Sequence, residues 1–154
     1  MHCARSSTWR HPRRPAPVRS AADALEVVAS AMSRPPRAET IAFVLDSDGA
    51  GTTVLIVDGT ERPDSVIDVV ERVAEAAGEA GAAGVVVATV RPVTVSGAEA
   101  ACLADDDIDR WLEASDIAAD HDVELIEWFV VGPNGVTCPR EAFGEPPRWS
   151  SVGG

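Results

Sequence analysis

The stretch Gly84–Pro92, GVVVATVRP, constrains this chain more than any other. Val85, Val86, Val87, Thr89 and Val90 are β-branched, and a run of this kind reads as a buried strand rather than a helix. A strand apolar at every position needs cover on both faces, so the sheet that holds it must carry a layer on each side. Pro92 has no backbone N–H and ends the run. The stop leaves Thr89 and Arg91 at a strand end, a place where active sites are often built.

The flanking segments supply the layers. Ser20 and Asp23 have the spacing of a helix start, and Leu25, Val28, Ala29 and Met32 follow at helical intervals until SRPPR breaks the pattern. Glu39–Asp46 and Thr52–Asp58 are β-branched strands joined by SDGAG, a hairpin signal, and both read as covered on two faces. Asp64 or Ser65 caps a second helix with the stripe Val66, Val69, Val70, Val73 and Ala77, and the glycines at 78, 81 and 84 end it. A loop follows Pro92. A third helix, from about Asp105 to Ala119, places Ile108, Trp111, Leu112 and Ser115 on one face. Val123–Gly132 is a fourth strand, PNG turns the chain, and VTCPR makes a short fifth. Helices between strands predict an α/β fold with three layers, α-β-α, around a mixed sheet. Residues 1–19 read as a disordered basic tail, 20–143 as the domain and 144–154 as a flexible Pro/Gly-rich tail.

Charge narrows the function classes. All 13 basic residues are arginine, and the net charge is −12. Seven arginines precede Ala38, so the remaining six face 23 acids, a balance of −17. So acidic a body argues against a phosphate-binding surface, and leaves at most weak nucleic-acid binding through the N-terminal tail. That tail lacks an apolar core segment and so is no secretory signal; a transit peptide or a later translation start are the other readings of it. The longest uncharged apolar run, 80–90, is too short to cross a bilayer. Cys3, Cys102 and Cys138 form no C-x-x-C, which favours free thiols in a reducing cytoplasm over zinc or redox chemistry. His121 reads as a turn residue between acids. The acids Asp105–Asp109 could hold magnesium or calcium, but read better as a first helical turn favoured by the macrodipole. No His neighbours a Ser or Cys in a nucleophile motif.

The order of elements, together with RAETIAFVLD, GVVVATVRP, ADDDIDRWLEAS and VELIEWFVVGPNG, resembles the RadC-like branch of the JAB/MPN (JAMM) domains over residues 20–143. The resemblance implies a three-layer fold of cytidine-deaminase-like outline, although the H-x-E and P-C-x-x-C of the zinc deaminases are absent. It further implies a zinc hydrolase site in active members: two histidines in H-x-H-P, an aspartate in S-x-x-D and a glutamate base, with a zinc-bound water as nucleophile. Carried onto this chain, Pro92 matches the proline, Thr89 and Arg91 occupy the histidine positions, Ala104 the serine and Asp107 the aspartate, with Asp105 or Asp106 as shifted matches. Glu39 takes the glutamate position, and Glu127 and Trp128 that of a D-H pair. Threonine is a poor zinc ligand, and arginine has no lone pair to give.

The expectation is therefore a noncatalytic, zinc-free binding or scaffold module, paired with itself or another protein. The alternative is a metallopeptidase-type hydrolase with unorthodox ligands. Arg91 has two readings: a cap of the strand end in solvent, or a stand-in for the metal between Glu39 and Asp107, each pair then gaining roughly 4 kcal/mol at about 4 Å and an effective dielectric near 20, before desolvation.

Overall fold

The computed structural model describes residues 4–8, 17–92 and 103–149. Its elements run β1 (Ala4–Thr8), α1 (Ala21–Ala31), β2 (Glu39–Leu45), β3 (Gly51–Asp58), α2 (Ser65–Glu79), β4 (Gly84–Val90), α3 (Asp107–Asp120), β5 (Glu124–Gly132), β6 (Gly135–Thr137) and α4 (Pro139–Phe143). The sheet is mixed, in the order β1-β3-β2-β4-β5-β6. Only β4 and β5 are parallel, joined by the crossover through α3; every other neighbour is antiparallel.

Alternation along the central strands builds two cores. Ala42, Val85, Val87, Trp128 and Val130 face α2 and α3. Ile41, Phe43, Val86, Ala88 and Phe129 face α1. All seven residues of β4 are buried, as a strand apolar on both parities requires. Helices thus cover both faces of the sheet, an arrangement compatible with three layers. The predicted stripe of α2 is buried throughout, with Ala74 added. Each fully buried valine there contributes about 1.5–3 kcal/mol of transfer free energy. In α1 the Ser20 hydroxyl accepts from the Asp23 amide at 3.2 Å, and the Asp23 carboxylate reaches back to the Arg19 amide at 3.0 Å. The hairpin forms because Asp46 accepts from the amides of Asp48 and Ala50, while Gly49 adopts φ +83°.

Several expectations are corrected. Ala4–Thr8 does not lie in an unstructured tail: it forms an edge strand antiparallel to β3. The rest of residues 1–16 lies outside the described residues. β3 is covered less fully than predicted, with Leu55, Ile56 and Val57 partly exposed, because α2 and α3 sit over β2, β4 and β5. The buried face of α3 is Asp107, Trp111, Ala114 and Ala118, and Leu112 is exposed. The alanines win the face because α2 packs close to α3. A Cβ on Gly78 would stand 2.4 Å from the His121 carbonyl oxygen. The last predicted strand stops at Thr137, and Pro139 opens α4, where its missing N–H costs nothing.

Residues 144–149 are held against the body rather than free, by Arg140 close by and by Trp111 and Leu125, which lie far from them in sequence. Among the described residues no helix is long and apolar enough to cross a membrane.

Candidate functional site

The end of β4 and the start of α3 meet at Asp107, whose side chain is 1% exposed. The Asp107 amide bonds the Ala104 carbonyl at 3.2 Å, and Asp106 takes φ 69°, so the chain turns tightly into the helix. That turn points the carboxylate back at the strand end. Oδ2 accepts from Arg91 Nη1 at 2.7 Å and from the Ala104 amide at 2.6 Å. Oδ1 accepts from Arg91 Nη2 at 3.2 Å and from Arg110 Nη1 at 2.9 Å. A carboxylate offers about four lone-pair sites, and here four donors fill them.

Arg110 is anchored in turn by Asp64 at 2.8 Å and by the Asp105 carbonyl at 2.7 Å. Burial pulls the Arg110 guanidinium down, but the hydrogen bonds it donates to Asp64 and Asp107 outweigh that, so the group is held above its ordinary value. Asp64 precedes α2 without capping it, its carboxylate being engaged by Arg110.

Thr89 is buried, and its Oγ1 accepts from the Trp128 indole N–H at 2.9 Å. The Arg91 guanidinium lies 5.9 Å from the centroid of the same indole, at the outer limit of a cation–π contact. The Arg91 amide bonds the Val131 carbonyl at 2.7 Å, which fixes the first residue after the strand against β5.

Glu39 begins β2 and shares the α1 face with Ile41 and Phe43 by alternation. It is fully buried. Its two oxygens accept from the Ser33 amide and the Ser33 hydroxyl, both at 2.8 Å, and Arg37 stands 3.8 Å away. The structure brings Arg91 and Asp107 together, one half of the bridging reading. The other half is corrected: Glu39 does not pair with Arg91, because it lies on the α1 face of the sheet and takes its partners from the end of α1, while Asp107 belongs to the α3 layer.

Asp105, Asp106 and Asp109 are exposed, so Asp107 is the acid of this run that enters the interior. His121 is the C-cap of α3, a turn residue as predicted. Glu127 is 1% exposed and bonds Arg140 Nε through both oxygens, at 3.1 and 2.8 Å. Burial pushes its carboxyl above the ordinary range, with Arg140 opposing. Burial, with Glu127 adding to it, pushes the neighbouring Cys138 thiol up to about 12, which disfavours the thiolate.

Three participants escaped sequence reasoning. Arg110 lies three residues after Asp107, a helical pairing distance that was a usable signal. Ser33 carried none, since it reaches Glu39 from a loop. Arg140 was hidden inside a segment read as strand.

The donor set does not fit zinc. Asp107 has no lone pair to spare, the Thr89 hydroxyl is a poor zinc ligand turned to the Trp128 indole, and two guanidinium cations stand where a dication would approach. Among the described residues, no group of three or more His, Cys, Asp or Glu is placed to hold a metal ion. In comparisons with models of known protein families and with curated proteins, nothing matches this chain.

Proposed function

We infer that this chain is a RadC-like JAB/MPN-type domain that works without zinc, as a noncatalytic binding or scaffold module in the cytoplasm. The observation that carries this reading is the closure of Asp107 by Arg91, Arg110 and the Ala104 amide. In a metallohydrolase of that family, the matching aspartate gives an oxygen to zinc, and imidazoles give two nitrogens. Here an arginine replaces one imidazole and binds the aspartate itself, and the residue replacing the other is bonded to Trp128.

Without a Lewis acid, a water molecule keeps a pKa near 15.7 instead of about 7, and a carboxylate base beside it cannot make up that difference. The residues of the former site then act as structure: they fasten the start of α3 to the end of β4. What remains available for function is the surface, with protein partners or a second copy as the class of ligand.

Metal analysis of the purified protein tests the reading. Less than a tenth of an equivalent of zinc, unchanged after incubation with excess zinc and desalting, is the expected result. One equivalent of zinc that is lost in an Asp107→Asn variant would overturn it in favour of a metal-dependent hydrolase.

A further inference from the structure

The sheet ends at β5 along most of that strand's length, because β6 pairs only with Val130, Val131 and Gly132. Among the described residues, Glu124–Phe129 has no strand on its outer side. The Glu124 amide bonds Ala83 on the inner side, so the Leu125 carbonyl points outward. An open edge of this kind is a template for pairing with another chain.

Residues 145–149 lie across this edge. Arg148 Nη1 donates to the Leu125 carbonyl at 2.9 Å, where a neighbouring strand would otherwise bond. Its guanidinium stacks 4.4 Å from the Trp111 centroid on the α3 side and also pairs with Glu145. Glu145 accepts from the Trp111 indole at 3.1 Å, and its carbonyl accepts from Arg140. Trp149 packs with the opposite core, on the α1 side. The segment therefore straddles the edge, with one side chain on each face. Pro146 and Pro147 have no N–H to offer, so it covers the edge without continuing the sheet.

We propose that residues 145–149 are a clasp that shuts the β5 edge against edge-to-edge pairing with a second copy of this chain. Arg148 also donates to the Ser115 hydroxyl at 3.2 Å. Arg148 and Glu145 keep about a fifth of their side chains in solvent, at 19% and 21%. The fastening thus rests on Arg148 and Glu145 at the α3 face and on Trp149 at the α1 face, so truncating Arg148 and Trp149 opens it. Once open, the outward Leu125 carbonyl needs a donor, and the same edge on another copy supplies one in a self-complementary pairing. The register shift in β5 between its partners Val85 and Val86 confines that pairing to a short stretch.

The test uses the full chain carrying Arg148→Ala and Trp149→Ala together. Two readouts are taken: exchange of the Trp111 indole N–H by NMR, and molar mass against concentration by light scattering. The expected result is indole exchange roughly tenfold faster, the factor that about 1.4 kcal/mol represents, with one association step beyond the wild-type state. Faster exchange with unchanged mass overturns the proposal, since the edge is then open and does not pair. Unchanged exchange also overturns it, since Arg148 and Trp149 then do not hold the segment. If the double variant lacks the native circular dichroism spectrum, Glu145→Gln in the full chain is read by the same two criteria. Zinc content is untouched by any of these outcomes, so this inference and the proposed function fail independently.

Discussion

Asp107 and Glu39 are both buried acids at strand or helix ends, and they are neutralised in opposite ways. Asp107 is gripped by two arginines and an amide. Glu39 rests on one serine, with an arginine at a loose 3.8 Å that is 55% exposed. The difference teaches what a fixed cation does in a protein interior. Around Asp107 the charges are mutually dependent, so removing the acid takes a shared carboxylate from two guanidiniums, of which Arg110 keeps Asp64 and the Asp105 carbonyl. Around Glu39 the closest partners are the dipoles of one serine, so its removal leaves one part-buried hydroxyl and one amide without their acceptor.

Perturbing the two acids in parallel separates these cases. Asp107→Ala is expected to cost about 3–5 kcal/mol of folding free energy, because it takes from Arg91 and Arg110, 18% and 14% exposed, the carboxylate they share. Urea unfolding measures it. Glu39→Ala is expected to cost about 1–3 kcal/mol, the range for unsatisfied neutral donors. A Glu39 cost equal to that of Asp107 would erase the contrast. Thr89→Val keeps the shape and removes the acceptor of the buried Trp128 indole, for an expected loss of about 1–2 kcal/mol.

A smaller effect comes from Glu127, which retains its proton to higher pH when folded than when unfolded. Above the ordinary carboxylate range the unfolded chain has already released that proton, so stability falls as pH rises towards the folded value. Unfolding titrations upward from about pH 4.3 should show this decline in the wild type and a flatter profile in Glu127→Gln. Glu145 runs the other way: its hydrogen bond from Arg148 holds its carboxyl below the ordinary range, so its contribution is lost as pH falls beneath that range. Smallest of all, Arg37→Ala should change stability by no more than about 0.5 kcal/mol, as expected of an exposed arginine.

The layers were legible because they rest on period. The valines of β4 and the stripe of α2 repeat at intervals that physical chemistry reads without a partner in view. The face of α3 was misread by about one residue, since small alanines pack where larger side chains signal burial more loudly, and Leu112 stayed in solvent. In the site, Arg91 and Asp107 could be paired on charge alone. Ser33 and Glu39 meet through a loop whose path no periodicity encodes. β1 was missed because a polar, arginine-rich segment can still lend its backbone to an edge, where side-chain pattern counts least. The clasp was missed for a related reason: Arg148 finds its partners on Trp111 and Leu125, tens of residues upstream.

Central to the account is that Arg91 and Asp107 hold one another across the end of β4 and the start of α3. A double-mutant cycle tests it most directly, combining Arg91→Ala with Asp107→Ala and reading each variant by urea unfolding. The account predicts a coupling of at least about 1.5 kcal/mol between the two positions, within the range for contacting charged partners. Losses that add to within about 0.5 kcal/mol, as independent sites do, would contradict it.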